Sequence, residues 1–191
     1  LIKLVRFILM QFIRTYPLEQ VQAAVPSAGS WKTIGRGPHA TTMGIALDTS
    51  LRFPIIHRSN KVRSAKDCWS LPSGLHENGL TLVDQLAVEL KEELKIEVVS
   101  YNHVYLGYYE NISVEDSYHW VIHVYAVLAD LSKMENLEPD KHDQVELVHV
   151  NAMDEYVKKL RWAPGLGEFL ARRFNPSQMI SLVEQELKAT P

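Results

Sequence analysis

The sequence predicts one mixed α/β domain, on three observations. Segments rich in β-branched and aromatic residues stand before and after a single strongly periodic helix, the pattern of strands and helices sharing one core. The length, 191 residues, fits one decorated domain better than two of ordinary size. Hydrophobic residues make up 46% and charged residues 23%, a globular composition that buries a core without a disulfide or structural metal.

Composition also narrows the function classes. The lone cysteine, Cys68, excludes an internal disulfide and the usual zinc frameworks, and reads as a small buried residue. Twenty basic and 23 acidic residues give a net charge of −3, which speaks against a broad nucleic-acid surface; long nucleic acid is not favoured as a partner. No apolar run reaches the ~20 residues of a membrane span. Lys3 and Arg6 interrupt the apolar start, Leu1–Ile13, and Arg14 follows it, which argues against a secretory signal. A cytoplasmic protein is expected, with a second copy of the chain kept as a candidate partner.

In chain order, residues 1–41 read as an N-terminal extension, a strand or helix plus a loop, because Pro26, Gly29, Gly35, Gly37 and Pro38 crowd its end. Strands are expected at Thr42–Leu47 and Pro54–His57, then a polar basic loop at Ser59–Asp67 and a short extended run, Cys68–Leu71, ended by Pro72. Glycines at 74 and 79 then let the backbone turn sharply and approach a ligand closely. The clearest element is a helix over about Thr81–Leu94. Leu82, Val83, Leu86, Ala87, Leu90 and Leu94 recur at helical spacing, and Thr81 with Asp84 forms a capping-box pattern. Ile96–Val99 starts a strand region, and Val104–Tyr109 and Trp120–Leu128 read as strands paired around a loop at Asn111–Ser117. Glu135–Gln144 reads as a charged loop, Val145–Val150 as a strand, Ala152–Lys159 as a short helix and Pro176–Lys188 as a terminal one.

The chemistry sits on the central helix. Glu89, Glu92 and Glu93 stand at i, i+3 and i+4, so three carboxylates share one face. Like charges this close repel, and a hard divalent cation that takes oxygen ligands would compensate them. The plainer alternative is a solvated acidic face balanced by Lys91 and Lys95.

With the glycine loop, these residues resemble the box of the Nudix family of diphosphate hydrolases: Gly, five residues, Glu, seven residues, then Arg-Glu-apolar-x-Glu-Glu-x-Gly-apolar. Anchored on Gly74, the box runs to Ile96 without a gap, and Glu89-Leu-Lys-Glu-Glu93 falls on its acidic core. Trp69, Pro72, Glu77 and Gly79 suit the same loop, as do the strand end Ile55–Ser59 and the segments Tyr118–Tyr125 and Glu146–Val150. The resemblance implies an α/β/α sandwich with a mixed β-sheet, a Nudix-type domain over 42–156, and a helical extension over 157–191 packed on the same domain.

Three positions depart from the box: Leu80 for Glu, Val88 for Arg and Lys95 for Gly. In the family that Glu and Arg fix the loop and orient the catalytic carboxylates. Leu80 and Val88 read together as a compensated apolar exchange of the pair. Lys95 suggests a helix end without a left-handed glycine cap.

The resemblance implies a metal-dependent hydrolase that cleaves a diphosphate linkage in a nucleoside diphosphate-linked compound or a nucleoside triphosphate. Glu89, Glu92 and Glu93, with the Gly74 carbonyl, would hold Mg²⁺ or Mn²⁺ and serve catalysis. A further carboxylate would come from Glu135, Glu138, Asp140 or Asp143. Arg58 is the first candidate for substrate phosphate, followed by Arg52 and Arg63 and the neighbouring Lys61 and Lys66. His119 and His123 share a strand face and are candidates for the pocket, and Trp69 and Trp31 for stacking on a base, against the simpler reading of packed side chains. Two other readings stay open: a weak or inactive Nudix-fold module that binds a nucleotide or protein, and isomerisation of an isoprenoid diphosphate, which would need a catalytic cysteine.

Overall fold

The computed structural model describes residues 38–113 and 118–189; the expected N-terminal strand or helix and Trp31 lie outside them. Among the described residues are seven strands and four helices: β1 Pro38–Leu47, β2 Arg52–Arg58, β3 Cys68–Ser70, β4 Ser73–Leu75, α1 Leu82–Leu94, β5 Glu97–Ser113, β6 Tyr118–Asp130, β7 His142–His149, α2 Met153–Lys159, α3 Leu166–Arg173 and α4 Pro176–Ala189.

The strands form two sheets. One is mixed, in the order β4-β1-β6-β5, with β1 and β6 parallel and the outer pairs antiparallel. The other is antiparallel, in the order β3-β2-β7. Side chains alternate across a strand, so β1 feeds two cores. Met43, Ile45 and Leu47 join the core closed by Met153, Leu166, Phe169, Leu170, Met179, Leu182 and Val183 of the C-terminal helices. Ala46 joins Ile56, Val127 and Ala129 against Leu86, Leu90 and Leu94 of α1. Helices thus cover both faces of the sheet structure, the α/β/α layering expected. Each fully buried leucine of α1 contributes roughly 1.5–3 kcal/mol by removal from water. Contact is so close that a Cβ on Gly44 would lie 2.4 Å from the Leu86 side chain.

Helix α1 starts as its sequence predicts. Thr81 accepts from the Asp84 N–H, and the Asp84 side chain answers at the cap backbone. Its end differs from expectation: Lys95 adopts the left-handed conformation, φ 55°, without glycine. The Lys95 and Ile96 N–H groups close back on Lys91 and Leu90 carbonyls, which fixes that conformation despite its steric cost.

Other elements are longer than predicted, or new. The loop after Pro72 contains β4, which exists through its pairing with β1. Ile96–Val99 and Val104–Tyr109 belong to one strand, β5, irregular between Val98 and His103 and between Tyr105 and Gly107. The charged loop ends early, because His142–Gln144 already pair with β2. Residues 166–173, with no assigned element in the sequence reading, form α3.

Candidate active site

Strand β4 delivers the glycine loop to α1. Gly74 lies opposite Thr42 of β1 and packs directly on the helix: a Cβ there would sit 1.8 Å from the Glu89 carboxylate. Only glycine fits that close approach.

Glu89 is held rather than free. The Gln85 Nε2 donates to Glu89 Oε1 at 2.8 Å, while Gln85 Oε1 accepts the Glu77 N–H at 3.1 Å. Gln85 is 1% exposed, so this amide ties the loop to helix α1 from inside. Leu80 is half-buried and Val88 is 36% exposed, so the expected packed apolar pair does not form a buried replacement for Glu and Arg. Gln85, one turn before Glu89, makes the loop–helix tie instead.

Glu93 is buried, and its Oε2 accepts the Ser73 N–H at 3.2 Å. Burial first, then the neighbouring Glu89 charge, pushes its carboxyl up to about 8. Glu89 is also raised, chiefly by burial, with Glu92 and Glu138 adding repulsion. Glu92 is exposed.

Of the four loop carboxylates considered, one reaches the centre. Glu135 pairs with Lys95, Asp140 with Lys61 and Asp143 with His57. Glu138 places a carboxylate oxygen within 4.8 Å of ligand atoms of both Glu93 and His142. His142 is the residue the sequence reading passed over. It opens β7 opposite Arg58, is 1% exposed, and its Nε2 lies 3.7 Å from Glu93 Oε1. Burial and the Arg58 charge depress it to about 4, so the imidazole is neutral. The Glu138–His142 spacing was its only sequence signal, inside a segment read as loop.

Two adjoining cavities share Arg58, Arg63 and Ser73. The one of about 500 Å³ includes Lys61, Glu93, Lys141 and His142. The other, about 320 Å³, is walled by Met43, Tyr109, Trp120, Ile122 and Pro164 and reaches Gly74. Burial lowers Arg58 from its ordinary value, yet a guanidinium stays charged, and its Nε and Nη2 donate to the Ser64 carbonyl.

Five expected substrate contacts lie elsewhere. Arg52 sits at the far end of β2, ion-paired to Asp48 at 2.9 Å. His119 pairs with Glu110 at 2.9 Å and His123 with the Tyr105 hydroxyl. Trp120 and Ile122 wall the cavity, so strand alternation turns His119 and His123 to the opposite face. Trp69 packs on the larger core with its ring against His57, and neither it nor Lys66 lines the two cavities. Cys68 is buried.

Fold and site together define an α/β domain built around a loop–helix carboxylate centre. The family model described as the NUDIX domain matches residues 37–172. The chain belongs to the Nudix family. Solved structures agree on the fold. The MutT Nudix hydrolase of Burkholderia pseudomallei is 22% identical, with TM-score 0.52 over 60% of this chain and 85% of that one. The MutT protein of Methanosarcina mazei Go1 is 16% identical, with TM-score 0.58 over 71% and 91%. A bifunctional NMN adenylyltransferase/ADP ribose pyrophosphatase of Francisella tularensis is 13% identical, with TM-score 0.54 over 82% of this chain and 45% of that one. No curated protein matches the sequence.

Proposed function

We propose that the chain is a divalent-metal-dependent hydrolase of the diphosphate linkage in a nucleoside diphosphate-linked compound or a nucleoside triphosphate. The observation that carries this reading is the approach of the half-buried Glu89 and Glu138 to the buried Glu93, which is raised to about 8 beside an open cavity. Carboxylates crowded in this way fit a cation, which would remove both the repulsion and the upward shift. Glu89, Glu92, Glu93 and Glu138, with the Gly74 carbonyl, would hold Mg²⁺ or Mn²⁺. Such an ion supplies charge for the diphosphate oxygens and lowers the pKa of water.

The chain's own residues do the rest. Arg58 and Arg63, common to both cavities, bind phosphate between the carboxylate centre and the second cavity. Trp120 and Tyr109 offer ring faces to a nucleobase in that cavity. A carboxylate of the centre accepts the proton of the attacking water. Gln85 and the Gly74 loop keep Glu89 in place for it. No described helix is long and apolar enough to cross a membrane, and a cytoplasmic nucleotide pool is the proposed site of action. The division into an extension over 1–41, the domain over 42–156 and a helical extension over 157–191 belongs to the same reading.

A panel of sugar nucleotides, dinucleotides and modified nucleoside triphosphates, each with Mg²⁺ or Mn²⁺, tests it. At least one is hydrolysed at a phosphorus–oxygen–phosphorus bond. No turnover with either metal leaves the non-catalytic nucleotide-binding module.

A further inference from the structure

His142 is a buried imidazole with no hydrogen-bond partner on its Nδ1, and the Glu138 Oε2 atom is likewise buried and unpartnered. Unsatisfied buried polar groups are rare in native proteins, and an absent ion is one of their few explanations. Glu138 Oε1 is taken by the Lys141 ammonium at 2.6 Å, and Glu93 Oε2 by the Ser73 N–H. One oxygen from each carboxylate and a ring nitrogen lie within 4.8 Å of one another, and Glu93 and His142 line the cavity of about 500 Å³. The 3.7 Å gap between His142 Nε2 and Glu93 Oε1 is too long for a hydrogen bond, so a direct bond between the two does not account for the arrangement.

We propose that His142 is a nitrogen ligand of the divalent cation held by Glu93 and Glu138, and that it tips the site toward a transition-metal ion such as Mn²⁺ or Co²⁺ over Mg²⁺. This rests on the Nudix reading for the carboxylates; the box itself has no place for a nitrogen donor. Imidazole binds first-row transition metals well, whereas Mg²⁺ prefers oxygen and gives up its waters reluctantly. Arg58, paired with His142 across β2 and β7, donates to the Ser64 carbonyl, and Lys141 donates to Glu138 Oε1, which leaves Glu138 Oε2 for the cation.

Pulsed electron paramagnetic resonance of Mn²⁺ added to the wild-type protein, without substrate, tests the ligand directly. A directly bound imidazole gives a nitrogen coupling that changes isotope pattern on ¹⁵N-histidine labelling. In His142→Phe that coupling disappears, and Mn²⁺ affinity falls at least about 10-fold while Mg²⁺ affinity changes far less. Absence of nitrogen coupling in the wild type overturns the proposal, as does an equal loss of Mn²⁺ and Mg²⁺ affinity in the variant. If His142→Phe fails to fold, the labelled wild-type spectrum decides alone. Because no turnover is measured, nitrogen coupling without diphosphate hydrolysis sinks only the functional reading. Hydrolysis without coupling sinks only this ligand.

Discussion

At the scale of single residues, Gln85 and Glu93 are the buried polar groups that tie the glycine loop to helix α1. Gln85 is the hinge pin between Glu77 and Glu89. Replacing it with leucine leaves the Glu77 N–H and the Glu89 carboxylate without that partner, and the expected result is a fall in kcat of roughly 10–100-fold with a smaller change in KM. Steady-state kinetics of Gln85→Leu checks this, and Gln85→Glu, which keeps the shape but loses the donor at neutral pH, should not restore the rate. Glu93 predicts a pH effect. Its carboxyl is raised from 4.5 to about 8, so between those values the folded protein keeps a proton that the unfolded chain has released. Stability therefore falls as pH rises through that window. His142, lowered from 6.5 to about 4, has the opposite slope, but its contribution is complete by pH 6.5. Metal-free wild type should lose thermal stability between pH 6.5 and 8, Glu93→Gln should lose less, and added Mn²⁺ should flatten the wild-type curve. Melting curves at several pH values decide. The three box glutamates were legible in the sequence because helical spacing is local. Glu138 was legible only as one of four, since which acid is drawn away depends on Lys95, Lys61 and His57, distant in sequence. His142 was hidden because pairing with β2 turns it inward.

Elements follow the same division between local and distant causes. Helix α1 was readable from its leucines and its cap. Strand β4 was not, since Ser73, Gly74 and Leu75 have no strand pattern and owe their conformation to β1. The length of β5 was masked by its irregularities and the polar Asn102 and His103. Helix α3 was masked by Pro164, Gly165 and Gly167, although Gly165, φ 81°, serves as its N-cap. At the end of α1, Lys95 holds a left-handed conformation that costs a non-glycine residue roughly 1–2 kcal/mol. Lys95→Gly relieves it, offset in part by the added freedom of the unfolded chain. A net gain of about 1 kcal/mol is expected in urea denaturation, because the solvent-exposed Lys95–Glu135 pair contributes little. Unchanged or reduced stability would mean that other contacts hold the cap.

For the whole molecule, two cores on opposite sides of the sheet structure fix the geometry of the site. The α1 core positions the carboxylates, and the C-terminal helices back the aromatic cavity, where Ala163 and Pro164 complete the wall. Arg58 and Arg63 stand where the two cavities meet. That layout suits a ligand with a base at one end and a diphosphate at the other, with Arg52 and His119 lying on other surfaces. The fold class was evident from the order of strands and helix. The joining of the cavities was not, because it depends on β2 and β4 from different sheets meeting at Arg58 and Ser73. The most direct measurement is the rate at which ¹⁸O from labelled water enters the phosphoryl group of a product, for wild type and Glu93→Gln with Mn²⁺ and a nucleotide substrate from the panel. One ¹⁸O on phosphorus per turnover in the wild type, with the rate reduced roughly 100-fold or more in Glu93→Gln, is the expected result. Label that appears on carbon, or a Glu93→Gln enzyme as fast as wild type, would contradict hydrolysis at phosphorus by this carboxylate centre.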